Sequence, residues 1–301
     1  MHDNYFNPRL DHHENKQVLA LGKVRLDIKK VAWLSLITIT GTIGSALTFS
    51  WGALLLFTFF TGLVLLLGHS LGMHRLFIHK AYSAPRWLEL TLIHFGTIVG
   101  ITGPLSMLKT HDTRDWAQRQ SACHPYFSHG RPWWQDIMWQ LFCRLDFDRP
   151  LEFKIEPSIE QDRVIAWMEK TWMLQQLPWA ILFYFLGGWG FVFWGISSRV
   201  LVSNLGHWFI GYLAHNEGHQ SWHVDGACVQ GHNISWSSLL TMGECWHNNH
   251  HAFPYSANFG LHAGQWDPGW WTLQAFKNIG LVSNIVTVSY THLTLPTTPY
   301  V

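Results

Sequence analysis

The sequence predicts an all-α integral membrane protein in which four transmembrane helices form two hairpins below a cytoplasmic helical cap. Three observations support this fold class. Only 13% of the 301 residues are Asp, Glu, Lys or Arg, whereas roughly 25% is typical of soluble proteins. Two long segments, residues 31–74 and 171–216, carry almost no formal charge. Histidine-rich motifs follow both segments, which indicates polar chemistry on one side of a bilayer.

Each apolar segment is long enough for two membrane helices of about 20 residues. Residues 31–74 lack Lys, Arg, Asp and Glu, and we expect a turn at residues 49–52, FSWG. Residues 171–216 contain only one such residue, Arg199, which we expect at the membrane interface in the turn between two further helices. Basic residues flank the first hairpin but are missing from its turn, so the positive-inside rule places both termini and the histidine motifs in the cytoplasm. These basic residues are Lys23, Arg25, Lys29, Lys30, Arg75, Lys80 and Arg86.

Two shorter segments are expected at the membrane surface. Residues 90–108 are uncharged but contain three glycines and a proline. Because these residues weaken a helix, we expect a re-entrant or interfacial segment and not a fifth span. Residues 131–145, RPWWQDIMWQLFCRL, interleave tryptophans with arginines, which is typical of a helix on the cytoplasmic membrane surface.

The chain is expected to form one membrane domain, residues 31–287, after a cytoplasmic N-terminal segment, residues 1–30. Residues 288–301 have no formal charge and two prolines, and they read like translated adapter sequence. We therefore expect a non-native tail whose His292 binds no metal. The net charge of +1 gives no indication of a nucleic-acid partner.

The motif HNNHH is the most informative pattern in the sequence. His250 and His251 follow His247 by three and four residues, and residues at these offsets share one face of a helix. Neutral imidazole is the commonest metal ligand, and converging imidazoles without a metal would repel each other when protonated. We therefore predict that the three side chains point at one metal site.

Other histidines lie where the predicted hairpins return to the cytoplasm. The motif HRLFIH places His74 and His79 at the end of the first hairpin. Five residues apart, they diverge by about 140° on a straight α-helix, so we expect them to serve two metals or to flank a helix end. His215 ends the second hairpin and is a further candidate, whereas His207 lies within the bilayer and is expected to be packed and hydrogen-bonded. The histidines expected in loops or on the surface are His2, His12, His13, His129 and His262.

Three segments carry a resemblance to a known family: GMHRLFIHKAYSAP, LAHNEGHQSW and LLTMGECWHNNHHAFPYSA. They resemble, in this order, the first histidine box, the isolated histidine of the fourth helix with the glycine that follows it (His215, Gly218) and the third histidine box of the membrane fatty acid desaturases of the acyl-CoA and acyl-lipid delta-9 type, and the similarity covers residues 63–281. The resemblance implies a dimetal site of two iron ions at the cytoplasmic ends of four helices, activation of O2, and removal of two hydrogens from a long acyl chain. It also implies metal-ligand roles for His74, His79, His215, His247, His250 and His251.

The middle histidine box departs from the HxxHH pattern of that family and reads HDTRD. His111 is kept, while Arg114 and Asp115 replace the second and third histidines. Arginine stays protonated and cannot bind a metal, whereas aspartate can. We therefore expect His111 and Asp115 to be ligands and Arg114 to orient a carboxylate. One family ligand is then unaccounted for, and His232 and His124 are the candidates to replace it.

The expected activity is O2-dependent desaturation of a long-chain acyl group carried by CoA, a carrier protein or a lipid. Abstracting hydrogen from an unactivated methylene requires a redox-active metal, which excludes zinc. The sequence has no HPGG haem motif, no CxxC pair and no GxGxxG fingerprint. Electrons are therefore expected from a separate reductase and a carrier of the ferredoxin, rubredoxin or cytochrome b5 type. A related membrane hydroxylase or ketolase is the alternative enzyme, and a non-catalytic metal-binding membrane protein is the alternative outside enzymes.

Overall fold

The computed structural model describes residues 7–10 and 21–288, and these are mostly helical. In chain order, its main elements are β1 (Gly22–Leu26), α1 (Ile28–Leu47), α2 (Trp51–Ile78), α3 (Arg86–Ile98), α4 (Pro104–Gln118), α5 (Trp133–Phe142), β2 (Cys143–Phe147), α6 (Arg163–Thr171), α7 (Gln176–Asn216), α8 (His247–Ala252) and α9 (Pro268–Asn278). Single helical turns lie at Pro125–Ser128, Pro157–Glu160 and Ser235–Ser237. The predictions for residues 289–301 and for His2, His12 and His13 lie outside the described residues.

Within the described residues, three helices are long and apolar enough to cross a membrane, namely α1, α2 and α7. Residues 48–50 join α1 to α2, and the Ser50 hydroxyl caps α2 by accepting a hydrogen bond from the Ala53 amide (3.1 Å). The predominantly helical membrane class is confirmed, and the observed turn overlaps the residues 49–52 predicted for it.

The predicted count of four membrane helices is not reproduced, because α7 counts as one helix of 41 residues. Its backbone is nevertheless non-helical at Gly187 and Gly188, and Gly188 has a φ of 67°. A residue without Cβ adopts this left-handed conformation freely. The interruption lies where a turn between two shorter helices would lie, and the count of four stays a prediction.

The prediction that Arg199 lies in the turn between two membrane helices is wrong, and its position relative to the membrane interface stays a prediction. Arg199 lies within α7, beyond the interruption, and its side chain is completely buried. Its guanidinium donates hydrogen bonds to the carbonyl oxygens of Gly195 (2.8 Å) and Ile98 (2.7 Å) and to Gln176 Oε1 (2.6 Å). The physical reason is that α3 ends among the membrane helices, where its last carbonyl groups need donors from elsewhere.

α3 packs closely on α2 and ends between the membrane helices. A Cβ atom at Gly68 of α2 would lie 2.3 Å from the backbone of Phe95 in α3, so glycine permits this approach. Beyond the end of α3, the Gly100 carbonyl oxygen accepts hydrogen bonds from Trp33 Nε1 (2.9 Å) and Asn204 Nδ2 (3.2 Å). Side chains of α1 and α7 thus supply hydrogen bonds to the backbone just beyond the end of α3. This arrangement supports the prediction that residues 90–108 do not form a fifth span.

α5 has the amphipathic character predicted for residues 131–145. Its Trp133 and Trp134 are exposed, whereas Asp136 is completely buried. β1 and β2 form an antiparallel pair, which the all-α prediction did not include. This pair holds the chain before α1 against the chain that follows α5.

Candidate metal centre

The structure brings seven of the predicted ligands together in two clusters. Within each cluster, one ring nitrogen from every histidine lies within 4.8 Å of those from the others. The four-histidine cluster consists of His74, His79, His111 and His250, and the three-histidine cluster of His215, His247 and His251. Two sets of converging imidazoles fit the predicted dimetal site.

His74 in α2 and His79, the residue directly after α2, reach the same cluster because the last part of this helix is not α-helical. Residues Val64–Ile78 form a π-helix, and the amide of His79 donates to the carbonyl oxygen of His74, five residues earlier (3.1 Å). Residues five apart therefore lie on one face of this segment. The divergence expected for a straight α-helix does not occur, and both imidazoles serve one cluster.

α8, which carries HNNHH, contributes to both clusters. His247 and His251 are four residues apart and share a face, whereas His250 precedes His251 by one residue and points about 100° away. His250 joins the four-histidine cluster, and the other two join the three-histidine cluster. The prediction that all three point at one site is therefore wrong, and this single helical turn connects two sites.

The ring nitrogens approach each other as they would around a metal ion. In the four-histidine cluster, His111 Nε2 lies 3.1 Å from His74 Nε2 and 3.4 Å from His79 Nε2. In the three-histidine cluster, His247 Nε2 lies 3.3 Å from His215 Nε2 and 2.9 Å from His251 Nε2.

Burial keeps several of these imidazoles neutral. The pKa values of His79, His247, His250 and His251 lie well below that of an ordinary histidine, first because burial penalises the charged form and second because neighbouring histidines would repel a charge. Neither ring nitrogen of His250 has a hydrogen-bond partner within the described residues. A neutral imidazole has one N–H donor and one acceptor nitrogen, so clustered imidazoles offer too few donors for all of their acceptor nitrogens. A metal ion would bind these acceptor nitrogens instead.

Glu244 binds the ring nitrogen of His74 that faces away from the four-histidine cluster. Its carboxylate accepts a short hydrogen bond from His74 Nδ1 and another from Arg75 Nη1 (3.0 Å). Arg75 is itself completely buried and is held by both carboxylate oxygens of Asp267 (2.8 and 3.0 Å). A carboxylate that accepts from one ring nitrogen fixes the imidazole so that the other nitrogen can bind a metal.

The acidic residues of HDTRD lie behind His111 and not among the converging nitrogens. Asp112 and Asp115 approach His111 Nδ1 to 3.7 and 3.9 Å, while Nε2 of the same ring faces the cluster. Burial acts to lower the pKa of His111, but these two carboxylates outweigh it and the pKa is raised. Asp115 belongs to neither cluster.

The two candidates for the missing ligand are also outside the clusters. His232 Nε2 accepts a hydrogen bond from Gln220 Nε2 (2.8 Å). His124 Nδ1 accepts one from the Tyr126 amide (3.1 Å) and caps a short helix. Both imidazoles have hydrogen-bonding roles of their own.

Sequence reasoning missed two histidines beside the clusters. His129, expected in a surface loop, is buried, and its ring lies parallel to that of His215. His69 lies five residues before His74, and its ring is 5.1 Å from that of His207. The five-residue spacing of His69, His74 and His79 was a readable signal for a π-helix, whereas no local pattern marks His129.

Comparisons with known proteins identify the family of this chain. The sequence profile of the fatty acid desaturase family matches residues 49–275, which include all seven clustered histidines. The sn-2 palmitoyl-lipid 9-desaturase of Nostoc sp. (strain 36) is 33% identical over 79% of this chain and 83% of its own length. The sn-1 stearoyl-lipid 9-desaturase of Anabaena variabilis is 32% identical over 79% and 85%, and the acyl-CoA 5-desaturase of Anemone leveillei is 26% identical over 81% and 75%. With its apolar helices and its two histidine clusters, the chain belongs to the fatty acid desaturase family.

Proposed function

We propose that this protein is a di-iron, O2-dependent desaturase that introduces a double bond at C9 of a saturated long-chain acyl group in a membrane lipid. Membership of the family sets the reaction, desaturation of a fatty acyl group. The 9-position and the lipid ester are supported by the Nostoc and Anabaena relatives, which are lipid 9-desaturases. The observation that carries the metal centre is the pair of clusters of buried, converging imidazoles.

Iron fits the donor set and the reaction. Imidazole suits zinc, copper and iron, but zinc has no redox chemistry. Two iron ions, when bound, supply with O2 the oxidant that breaks the C–H bonds of two adjacent methylenes. The acyl chain loses two hydrogen atoms, and O2 is reduced to two waters with two further electrons and two protons. A separate electron carrier of the ferredoxin, rubredoxin or cytochrome b5 type, with its reductase, is therefore required.

The chain's own residues hold the ligands in a binding-competent state. His74 donates from Nδ1 to Glu244, and His215 donates from Nδ1 to the Gly211 carbonyl oxygen (2.8 Å). Each contact fixes the tautomer and leaves the lone pair of Nε2 for the metal. The proposed ligands are the seven histidines of the two clusters, and Asp115 is proposed to support His111 from behind.

The metal centre and both termini are proposed to face the cytoplasm. Lys29 and Lys30 lie in the first turn of α1, and Lys80 and Arg86 follow α2, whereas residues 48–50 between these helices carry no charge. Positive charge on both flanks of a hairpin favours the cytoplasmic side.

The experiment is to express the protein in a host that lacks its own delta-9 desaturase and to analyse the fatty acids of each lipid class by gas chromatography and mass spectrometry. We expect 9-monounsaturated chains on membrane lipids and none when the His250→Ala variant is expressed. Hydroxylated chains in place of alkenes would support the related hydroxylase. Unchanged fatty acids with well-expressed, iron-loaded protein and an active electron carrier would contradict the proposal.

A further inference from the structure

The three-histidine cluster has one imidazole fewer than the four-histidine cluster, and a substitution lies beside it. Where the HxxHH pattern would place a histidine, this chain has Arg114. Arg114 donates from Nη2 to Gln140 Oε1 (2.8 Å), and its charge acts on His247 of the three-histidine cluster. A guanidinium does not bind a metal, so the fourth ligand has to come from elsewhere.

His129 has one buried ring nitrogen without a hydrogen-bond partner among the described residues. Its side chain is 1% exposed, and within the described part of the chain its Nε2 has no hydrogen-bond partner. The other ring nitrogen, Nδ1, donates to Asp136 Oδ2 (2.8 Å). A carboxylate on one nitrogen and a free second nitrogen are the arrangement found in metal-binding histidines.

The ring of His129 lies next to the three-histidine cluster, although neither of its nitrogens is among the ligand atoms that lie within 4.8 Å of one another. The rings of His129 and His215 are 5.2 Å apart, centroid to centroid, with an interplanar angle of 25°. A Cβ atom at Gly211, one helical turn before His215, would lie 3.6 Å from His129 Nε2. His129 Nε2 therefore faces α7 at the turn that carries His215.

One chain of hydrogen bonds connects the substituted position to His129. Gln140, which binds Arg114, also donates from Nε2 to Asp136 Oδ1 (3.4 Å). Asp136 is completely buried and also accepts from Trp208 Nε1 of α7 (2.9 Å). The carboxylate that orients His129 is therefore fixed by α5 and α7 together.

We propose that His129 is the fourth imidazole ligand of the metal in the three-histidine cluster and takes the role that Arg114 cannot fill. The inference rests on the proposed dimetal function. It differs from the expectation for His232 and His124, because the acceptor nitrogens of those imidazoles are already used, by Gln220 and by the Tyr126 amide, whereas His129 donates from Nδ1 and keeps the lone pair of Nε2.

The test measures iron site by site in the full-length protein. The detergent-purified wild type and the His129→Ala and His129→Gln variants are loaded with ⁵⁷Fe, and iron per chain is measured by mass spectrometry and Mössbauer spectroscopy. The matched control is His124→Ala, which removes an imidazole from the same loop. Helical content and elution volume establish that each variant is folded, and His129→Gln provides a polar replacement of similar reach where His129→Ala does not fold.

We expect two irons per chain and two quadrupole doublets in the wild type and in His124→Ala. In the His129 variants we expect one doublet to be lost or shifted, with the other unchanged and up to half of the iron missing. Two irons and two unchanged doublets in the folded His129 variants would overturn the inference, and so would equal loss from both sites. A wild-type protein that binds fewer than two irons would instead contradict the proposed function.

Discussion

The two histidine clusters differ in what lies behind their imidazoles. In the four-histidine cluster, His74 donates to the carboxylate of Glu244, and two further carboxylates lie within 4.0 Å of His111 Nδ1. In the three-histidine cluster, His215 donates to a backbone carbonyl oxygen. Over residues 7–10 and 21–288, no Asp or Glu oxygen lies within 4.0 Å of a ring nitrogen of its three histidines.

Two arginines lie close to the three-histidine cluster. Arg119 donates from Nη2 to the carbonyl oxygen of His251 (2.6 Å), and the charge of Arg114 acts on His247. Carboxylates behind a ligand raise its basicity, and losing them costs about 10–100-fold in metal affinity or activity. Two similar sets of imidazoles can therefore differ in metal affinity. We expect the four-histidine cluster to bind iron more tightly than the three-histidine cluster.

The largest effect is expected from removing a ligand of the stronger cluster. His250→Ala should lower desaturation by more than about 100-fold, the upper end of the effect of losing a supporting carboxylate. The variant should still insert into membranes, because α1, α2 and α7 depend on their apolar residues and not on metal. Product analysis and membrane fractionation check both parts, with the exposed His262→Ala as control. Full turnover and full iron content in His250→Ala would exclude this histidine as a ligand.

A smaller effect is expected when a carboxylate behind a ligand is neutralised. Glu244→Gln keeps the shape but removes the charge that holds His74, so the iron affinity of the four-histidine cluster should fall by about 10–100-fold. Competition with a chelator under anaerobic conditions measures this affinity. Glu89→Gln, which breaks a surface pair with Arg86 (2.9 Å), is the control and should change nothing. If the iron affinity of the four-histidine cluster were the same in Glu244→Gln as in the wild type, the comparison between the clusters would be contradicted.

A still smaller effect is expected for Asp115, which is not hydrogen-bonded to His111 (3.9 Å). Asp115→Asn should retain both irons and lose less than about 10-fold in activity, below the effect of a bonded carboxylate. Asp115→His and Asp115→Ala extend the series. Severe loss of iron in Asp115→Asn and Asp115→Ala, with recovery in Asp115→His, would instead establish Asp115 as the ligand that HDTRD first suggested.

The smallest effect is expected for the ion pairs that Arg9 makes behind the four-histidine cluster. Arg9 binds both Asp112 (2.9 Å), which lies behind His111, and Glu156 (2.9 Å). Burial alone would raise the pKa of Glu156, but hydrogen bonds from Arg9 and Lys80 lower it to about 2. A lowered pKa means that the pair stabilises the folded protein above the ordinary pKa of a glutamate and that this contribution is lost as the pH falls towards 2.

Glu156→Gln should therefore reduce the melting temperature slightly at neutral pH, by an amount that corresponds to roughly 0–1 kcal/mol for a partly exposed pair. The difference between wild type and variant should shrink as the pH falls below about 4.5. Thermal unfolding in detergent at several pH values measures it. A difference that grows on acidification would show that this carboxylate is not ionised in the folded protein.

The chemistry of the site could be predicted from the sequence further than its geometry could. All seven clustered histidines lie in motifs that are readable along the chain. Their division between the clusters was not predicted, because it depends on a π-helix in α2 and on the 100° step between His250 and His251. His129 and Arg199 were misjudged because their burial results from contacts with α5, α7 and α3, which are remote in sequence. Local patterns carry residue type and periodicity but not such contacts.

Anaerobic titration of the metal-free protein with Fe²⁺ tests the central claim most directly, since the claim is that two unequal histidine clusters each hold one iron. We predict that two equivalents bind per chain in two distinguishable steps and that Glu244→Gln weakens the tighter step only. Binding of a single equivalent, or of two equivalents in one step that Glu244→Gln leaves unchanged, would contradict the account.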